Sequence, residues 1–144
     1  MDISSLKGQN LGAKEFMQIP VYDTFGPSGK LVYTYTSHGG NLSNIVDIQG
    51  VFNPAGANQV WFGIQDENGL SWVEYFDDVY TINGSPLFIT QSDIDAYAQA
   101  SKQSLLSNLN PINWVSNILA PLKPYAVGIG VVALLIIIAK SKKK

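Results

Sequence analysis

The chain's one histidine, His38, sits in the run His38-Gly39-Gly40-Asn41, and the groups able to join it in chemistry are scattered carboxylates: Asp47, the pair Asp66 and Glu67, and the pair Asp77 and Asp78. A histidine acting as general base or metal ligand needs a carboxylate brought within hydrogen-bond reach, and nothing in the spacing supplies one. The acidic pairs lack the alternating Asp/Asn pattern of a calcium loop. Cysteine is absent, which removes disulfides, thiolate nucleophiles and zinc ribbons together. No nucleophile elbow, phosphate-cradling glycine loop or paired metal motif occurs. His38 is therefore expected as a solvent-facing loop residue and the acidic pairs as turn residues. The expectation is a protein that holds or binds something, with no enzyme activity, no cofactor and no metal.

The elements around these residues read mainly as strands. Glu15 to Ser37 gives FMQIPVY, a long Asp23–Lys30 turn and LVYTYTS; Ile45 to Phe52 gives a third strand, ended by Asn53-Pro54-Ala55-Gly56. The clearest hairpin joins VWFGIQ to LSWVEYF through Asp66-Glu67-Asn68-Gly69, with Gly69 placed to adopt a left-handed conformation. VYTI and LFIT flank a further turn at Asn83-Gly84-Ser85-Pro86. Short strands punctuated in this way predict a mainly β body, a small antiparallel sandwich or barrel over residues 15–91. Residues 1–14, with Gly8, Gly12 and no periodicity, read as a flexible arm. Over 92–110 the period changes to that of an amphipathic helix, with Ser92 as cap, Asp93 and Asp95 at its positive end, and apolar Ile94, Tyr97, Ala98, Leu105 and Leu109. Asn110-Pro111 ends it.

Charge divides the chain in two. Up to Leu122 there are four lysines against eleven acids, a net −7; from Lys123 onward five lysines and no acid give +5. An acidic body without a single arginine lacks the clustered cations that phosphate-backbone binding requires. In the basic part lies YAVGIGVVALLIIIA, Tyr125 to Ala139, fifteen uncharged residues. As a helix it would span about 22 Å. Its Val127, Ile129, Val131, Val132, Leu134, Leu135, Ile136, Ile137 and Ile138 together favour insertion by roughly 3–5 kcal/mol. Residues 124–140 are therefore expected as a C-terminal transmembrane helix, with Tyr125 and Trp114 at the headgroup level and Lys123 and Lys140 reaching the two interfaces. Residues 111–123, kinked by Pro121, form an interfacial linker, and 141–144 a basic tail. The tail suits anionic headgroups, with weak contact to nucleic acid as a second use. The lysines alone would place the tail in the cytosol; the start of the chain lacks a basic, apolar signal segment, which favours tail anchoring with the body on the cytosolic face.

Four aromatic residues are candidate partner contacts. Trp61 and Phe62 are adjacent on one strand and must face opposite sides; Trp72 lies on the next strand, and Tyr33 and Tyr35 share a face in the first hairpin. An outward aromatic face would be a platform for a protein or a sugar, and a packed one would be core. In layout, the signal-free acidic body, the apolar run and the terminal Lys140-Ser141-Lys142-Lys143-Lys144 resemble the small membrane-anchored capsid and vertex proteins of icosahedral phages with an internal lipid membrane. That resemblance implies a structural protein in a homo-oligomer or larger assembly, tying other shell or membrane proteins to a lipid bilayer, with its tail toward the packaged genome. The other reading is a membrane-tethered receptor or adhesion module that binds protein or carbohydrate through the aromatic face.

Overall fold

The computed structural model describes residues 1–108. Its framework is a pair of unusually long antiparallel strands, β1 (Asn10–Tyr22) and β2 (Leu31–Val51). Strands of this length stay in one sheet only by bending. In β1 the bend is a bulge: Glu15 pairs with His38 and Gln18 with Thr36, so β1 carries an extra residue, and Phe16 absorbs it at φ 60°. In β2 the bend falls at Gly39 and Gly40, at φ 75° and 133°, values open to glycine and costly for a residue with a Cβ. The run His38-Gly39-Gly40-Asn41 is thus the corner of a continuous strand rather than the loop its composition suggests.

Two tight hairpins come next. β3 (Gln59–Asp66) and β4 (Gly69–Glu74) pair from Asp66 with Gly69 to Trp61 with Glu74, and Gly69 adopts φ 105°, the positive value its place in the turn requires. β5 (Tyr80–Ile82) and β6 (Ser85–Pro86) are joined by Asn83 and Gly84, both at positive φ, the conformation of a hairpin turn whose twist matches its strands. All six strands form one antiparallel sheet in the order β2-β3-β4-β1-β5-β6. β1 also pairs with β2, and Tyr22 meets Trp72 of β4, so the pairings of the first four strands run in a ring.

Strand alternation fills the main core: Val60, Phe62 and Ile64 of β3 and Val73 of β4 point inward with Leu11, Ile19, Val21, Ile45 and Ile48. Residues 1–14 belong to this core and are no arm. Ile3 and Leu6, three apart on a single 3-10 turn (Ile3–Leu6), are 2% and 5% exposed, and Asp2 accepts the Ser4 N–H at 3.0 Å to start that turn. Leu11 and Ala13 already lie in β1. Two apolar residues in one turn make less than a full period, so the segment carries no periodicity that its sequence could display.

The helix α1 (Gln91–Asn108) is capped by Thr90 rather than Ser92. The Thr90 Oγ1 accepts the Asp93 N–H at 3.2 Å, and the Asp93 carboxylate accepts the Thr90 hydroxyl and N–H in return. The helix lies on the sheet through Ile94, Tyr97 and Ala98, with the Tyr97 hydroxyl donating to the Ile48 carbonyl at 3.2 Å, whereas Leu105 is exposed. Gly50 makes this approach possible, since a Cβ there would stand 2.8 Å from the Ala98 Cα. Among the described residues no helix is long and apolar enough to cross a membrane. The expected linker, transmembrane helix and tail, with Trp114, Lys123, Tyr125–Ala139 and Lys140, lie outside the described residues.

Candidate functional site

The four aromatic candidates differ in exposure: the two tryptophans are buried, Tyr33 is half-buried and Tyr35 is exposed. Trp61 and Trp72 are 3% and 5% exposed. They sit on the side of β3 and β4 opposite the main core, Trp72 beneath the segment between β1 and β2 and Trp61 beside the end of β1. Trp72 meets Phe25 edge-on at 4.8 Å and Trp61 meets Tyr22 at 5.3 Å. The Trp72 ring lies across Gly63, with 3.2 Å left for a Cβ there. That covering segment is closed by Asp23, whose N–H reaches the Lys30 carbonyl and whose carboxylate accepts the Lys30 N–H at 2.9 Å. The β3–β4 hairpin is therefore packed on its core side and around Trp61 and Trp72 on the other, while Leu70 and Gln65 near the turn are exposed. Tyr33 and Tyr35 do share a face, the one they occupy with buried Ile19 and Val21 through their pairings. Tyr33 donates to Asp66 at 2.7 Å; burial, and then Asp66, push its pKa up to about 12. Tyr35 stands at the margin, 37% exposed.

The chemistry-bearing residues are equally dispersed. His38 is exposed and pairs across the ladder with Glu15. Asp66 organises its turn by accepting the Asn68 N–H at 2.7 Å; burial works against its charge, but hydrogen bonds from Tyr33, Ser71, Asn68 and Gly69 keep its pKa below the usual range. Asp78 pairs with Lys14, and Asp47 with Gln49 at 2.9 Å and Lys7 at 3.4 Å. Among the described residues no three His, Cys, Asp or Glu side chains gather to hold a metal ion.

What the fold does build is a cleft of about 570 Å³ where three segments meet: residues 53–60, residues 74–77 at the end of β4 and beyond it, and residues 88–94, which run into the first turn of α1. Alternation shapes its rim. Tyr75 turns inward, so Phe76 turns out and is 44% exposed; Leu87 and Ile89 turn inward, so Phe88 between them is 61% exposed. Tyr75 fastens the two segments, its hydroxyl accepting the Ile89 N–H at 2.9 Å and donating to Asp77 at 3.3 Å. The third wall is held by Asn58, whose Oδ1 accepts the Asn53 N–H and whose Nδ2 donates to Asp95, both at 2.8 Å. Glu74 is among the residues that line the cleft; its carboxylate has no hydrogen-bond partner among the described residues, and burial raises its pKa.

Of these lining residues only Asp77 is among the carboxylates that the sequence singles out, and there it reads as a turn residue. A further signal is Phe88, an aromatic ring between two apolar residues in the run Leu87-Phe88-Ile89, where only alternate side chains of an extended segment can face the core. No protein-family model matches the chain, and comparison with curated proteins and with solved structures finds no match.

Proposed function

We propose that the chain is a non-enzymatic structural protein that tethers a protein shell to a membrane, with its acidic β body on the shell side and Tyr125–Ala139 in the bilayer. The observation that carries this reading is the uncharged fifteen-residue run, rich in Val, Leu and Ile and succeeded by Lys140, Lys142, Lys143 and Lys144. The sheet, whose first four strands we read as a small barrel, and the docked helix α1 make the body a packed unit. Exposed Phe16, Leu31 and Val32 on the β1–β2 pair support association with other shell or membrane proteins, or with further copies of the chain. The lysines beyond the span suit anionic headgroups, with weak contact to nucleic acid on that side. This is the role of the membrane-anchored capsid and vertex proteins of lipid-containing phages that the layout resembles. The receptor reading rests on Trp61, Trp72, Tyr33 and Tyr35 as an aromatic face; the two tryptophans are buried, which leaves Tyr33 and Tyr35 to carry it and favours the structural reading.

Truncation after Leu122 tests the proposal. The full chain is expected to sediment with membranes or lipid-containing particles and to resist extraction by salt, and the truncated chain to be released. A truncated chain that stays firmly attached overturns the anchor. Cleavage of the body by protease added outside intact cells overturns the placement of the body on the cytosolic, shell-facing side.

A further inference from the structure

The cleft beside α1 has a volume within the range of about 300–1,000 Å³ common to ligand sites, and its polar groups are unevenly spent. Several donors are already used, although the Asn53 and Gln59 side-chain N–H groups make no hydrogen bond among the described residues. The Asn58 Nδ2 and Gln91 Nε2 donate to Asp95, the Thr90 hydroxyl to Asp93, and the Tyr75 hydroxyl to Asp77. Acceptors are left over: the Glu74 carboxylate is unpartnered among the described residues, and Asp77 has its Oδ2 free of the bonds that occupy Oδ1. Among the described residues no lysine lines the cleft. Three cations of the body are engaged in other contacts: Lys14 on Asp78, beside Asp77, Lys102 over the Phe52 ring at 3.9 Å, and the Met1 amine on Asp93, which also covers the positive end of α1. Two exposed phenyl rings, Phe76 and Phe88, complete the lining.

A saccharide is neutral and would leave the carboxylates of the lining without a counter-charge. A cationic side chain needs what the cleft offers: carboxylates without counter-charge, rings whose faces attract cations, and apolar surface for a methylene stem. We infer that this cleft docks a basic peptide segment of a partner protein, its lysine or arginine cation held by Glu74 and Asp77 and its stem laid across Phe76 and Phe88. The charge of the body favours the same partner, since up to Leu122 the chain is net −7. The inference rests on the described body alone and is independent of the anchor.

The test is a fluorescence-anisotropy titration of the full chain in nonionic detergent at low salt, with a labelled nine-residue peptide alternating lysine and alanine. A glutamate–alanine peptide and a neutral hexasaccharide serve as the other ligands. The lysine peptide is expected to bind and the other two to fail. Glu74→Gln and Phe88→Ala should each weaken it about tenfold. Both side chains stand at the cleft surface, so the folded state survives either change, which near-ultraviolet circular dichroism checks. Glu67→Gln, in the β3–β4 turn and outside the cleft, should leave binding unchanged. An absent lysine-peptide signal, an equal loss with Glu67→Gln, or binding of the hexasaccharide would each overturn the inference.

Discussion

Trp61 and Trp72 are the largest aromatic side chains of the sheet and lie on what its alternation would make an outer face, yet they are buried; Phe76 and Phe88, just beyond the ordered strands, are open to solvent. The difference lies in whether another stretch of chain folds over each pair. Residues 23–30 are long enough to fold back and lay Phe25 on Trp72, whereas nothing among the described residues covers the two phenyl rings. Strand alternation decides which side a ring takes, and only the connecting segments decide whether that side is core or surface. One pair thus belongs to stability and the other to recognition.

The contrast is broken most severely by removing a ring from each side. Trp72→Ala empties a packed site between Phe25 and Gly63 and should lower stability by about 3–5 kcal/mol, close to the whole stability of a small domain. Phe88→Ala should change it by no more than about 0.5 kcal/mol, as expected of an exposed position. Urea unfolding monitored by tryptophan fluorescence measures both. Comparable losses would mean that the exposed pair is part of the fold after all.

A smaller effect is expected where α1 meets the sheet, the contact that forms one wall of the cleft. In Gly50→Ala the new methyl group would meet the Ala98 Cα at 2.8 Å, a backbone atom that cannot turn aside. The helix must shift, which should cost about 1–3 kcal/mol. Because Ile94 and Gln91 ride on that helix, the substitution should also weaken binding at the cleft, while Trp72 and its coverings stay in place. Hydrogen exchange should show loss of protection in α1 and none in the β3–β4 hairpin. Uniform loss across both would mean that the two regions are not separable.

The legible parts of this molecule are those in which a signal is local. The β3–β4 hairpin comes from alternation interrupted by Asp66-Glu67-Asn68-Gly69, and α1 from Ile94, Tyr97 and Ala98 at helical spacing. Composition points to a helix cap two residues late because Ser92 and Thr90 are both good caps, and only the reciprocal bond with Asp93 selects Thr90. Gly39 and Gly40 suggest a loop because glycine marks a loop and a bent strand equally well. The burial of Ile3 and Leu6 depends on distant partners, as does the cleft, which joins segments from three parts of the chain. Trp61 and Trp72 are open in sequence to being contacts or core, and the covering segment that decides between the two has no pattern of its own.

The smallest effect, and the one that bears most directly on recognition, concerns the charge of Glu74. Burial raises the pKa of this carboxyl in the folded protein above its unfolded value, so the folded state holds the proton to higher pH. The stabilisation that this gives is complete below the unfolded pKa and is lost as pH rises through the folded one; at neutral pH the ionised group carries its full desolvation penalty. Glu74→Gln removes the charge and keeps the shape. It should therefore raise the melting temperature at pH 7, by a small amount because the side chain is only partly buried and solvent screens it, and the gain should fade toward zero below about pH 4. Thermal unfolding of both proteins across that range is the measurement. A difference that stays constant with pH would assign the effect to packing and remove the reason to regard Glu74 as an unsatisfied charge. A gain confined to high pH would mark the cleft as a place where the fold gives up stability to keep a carboxylate ready for a cation, the reverse of what it does around Trp61 and Trp72.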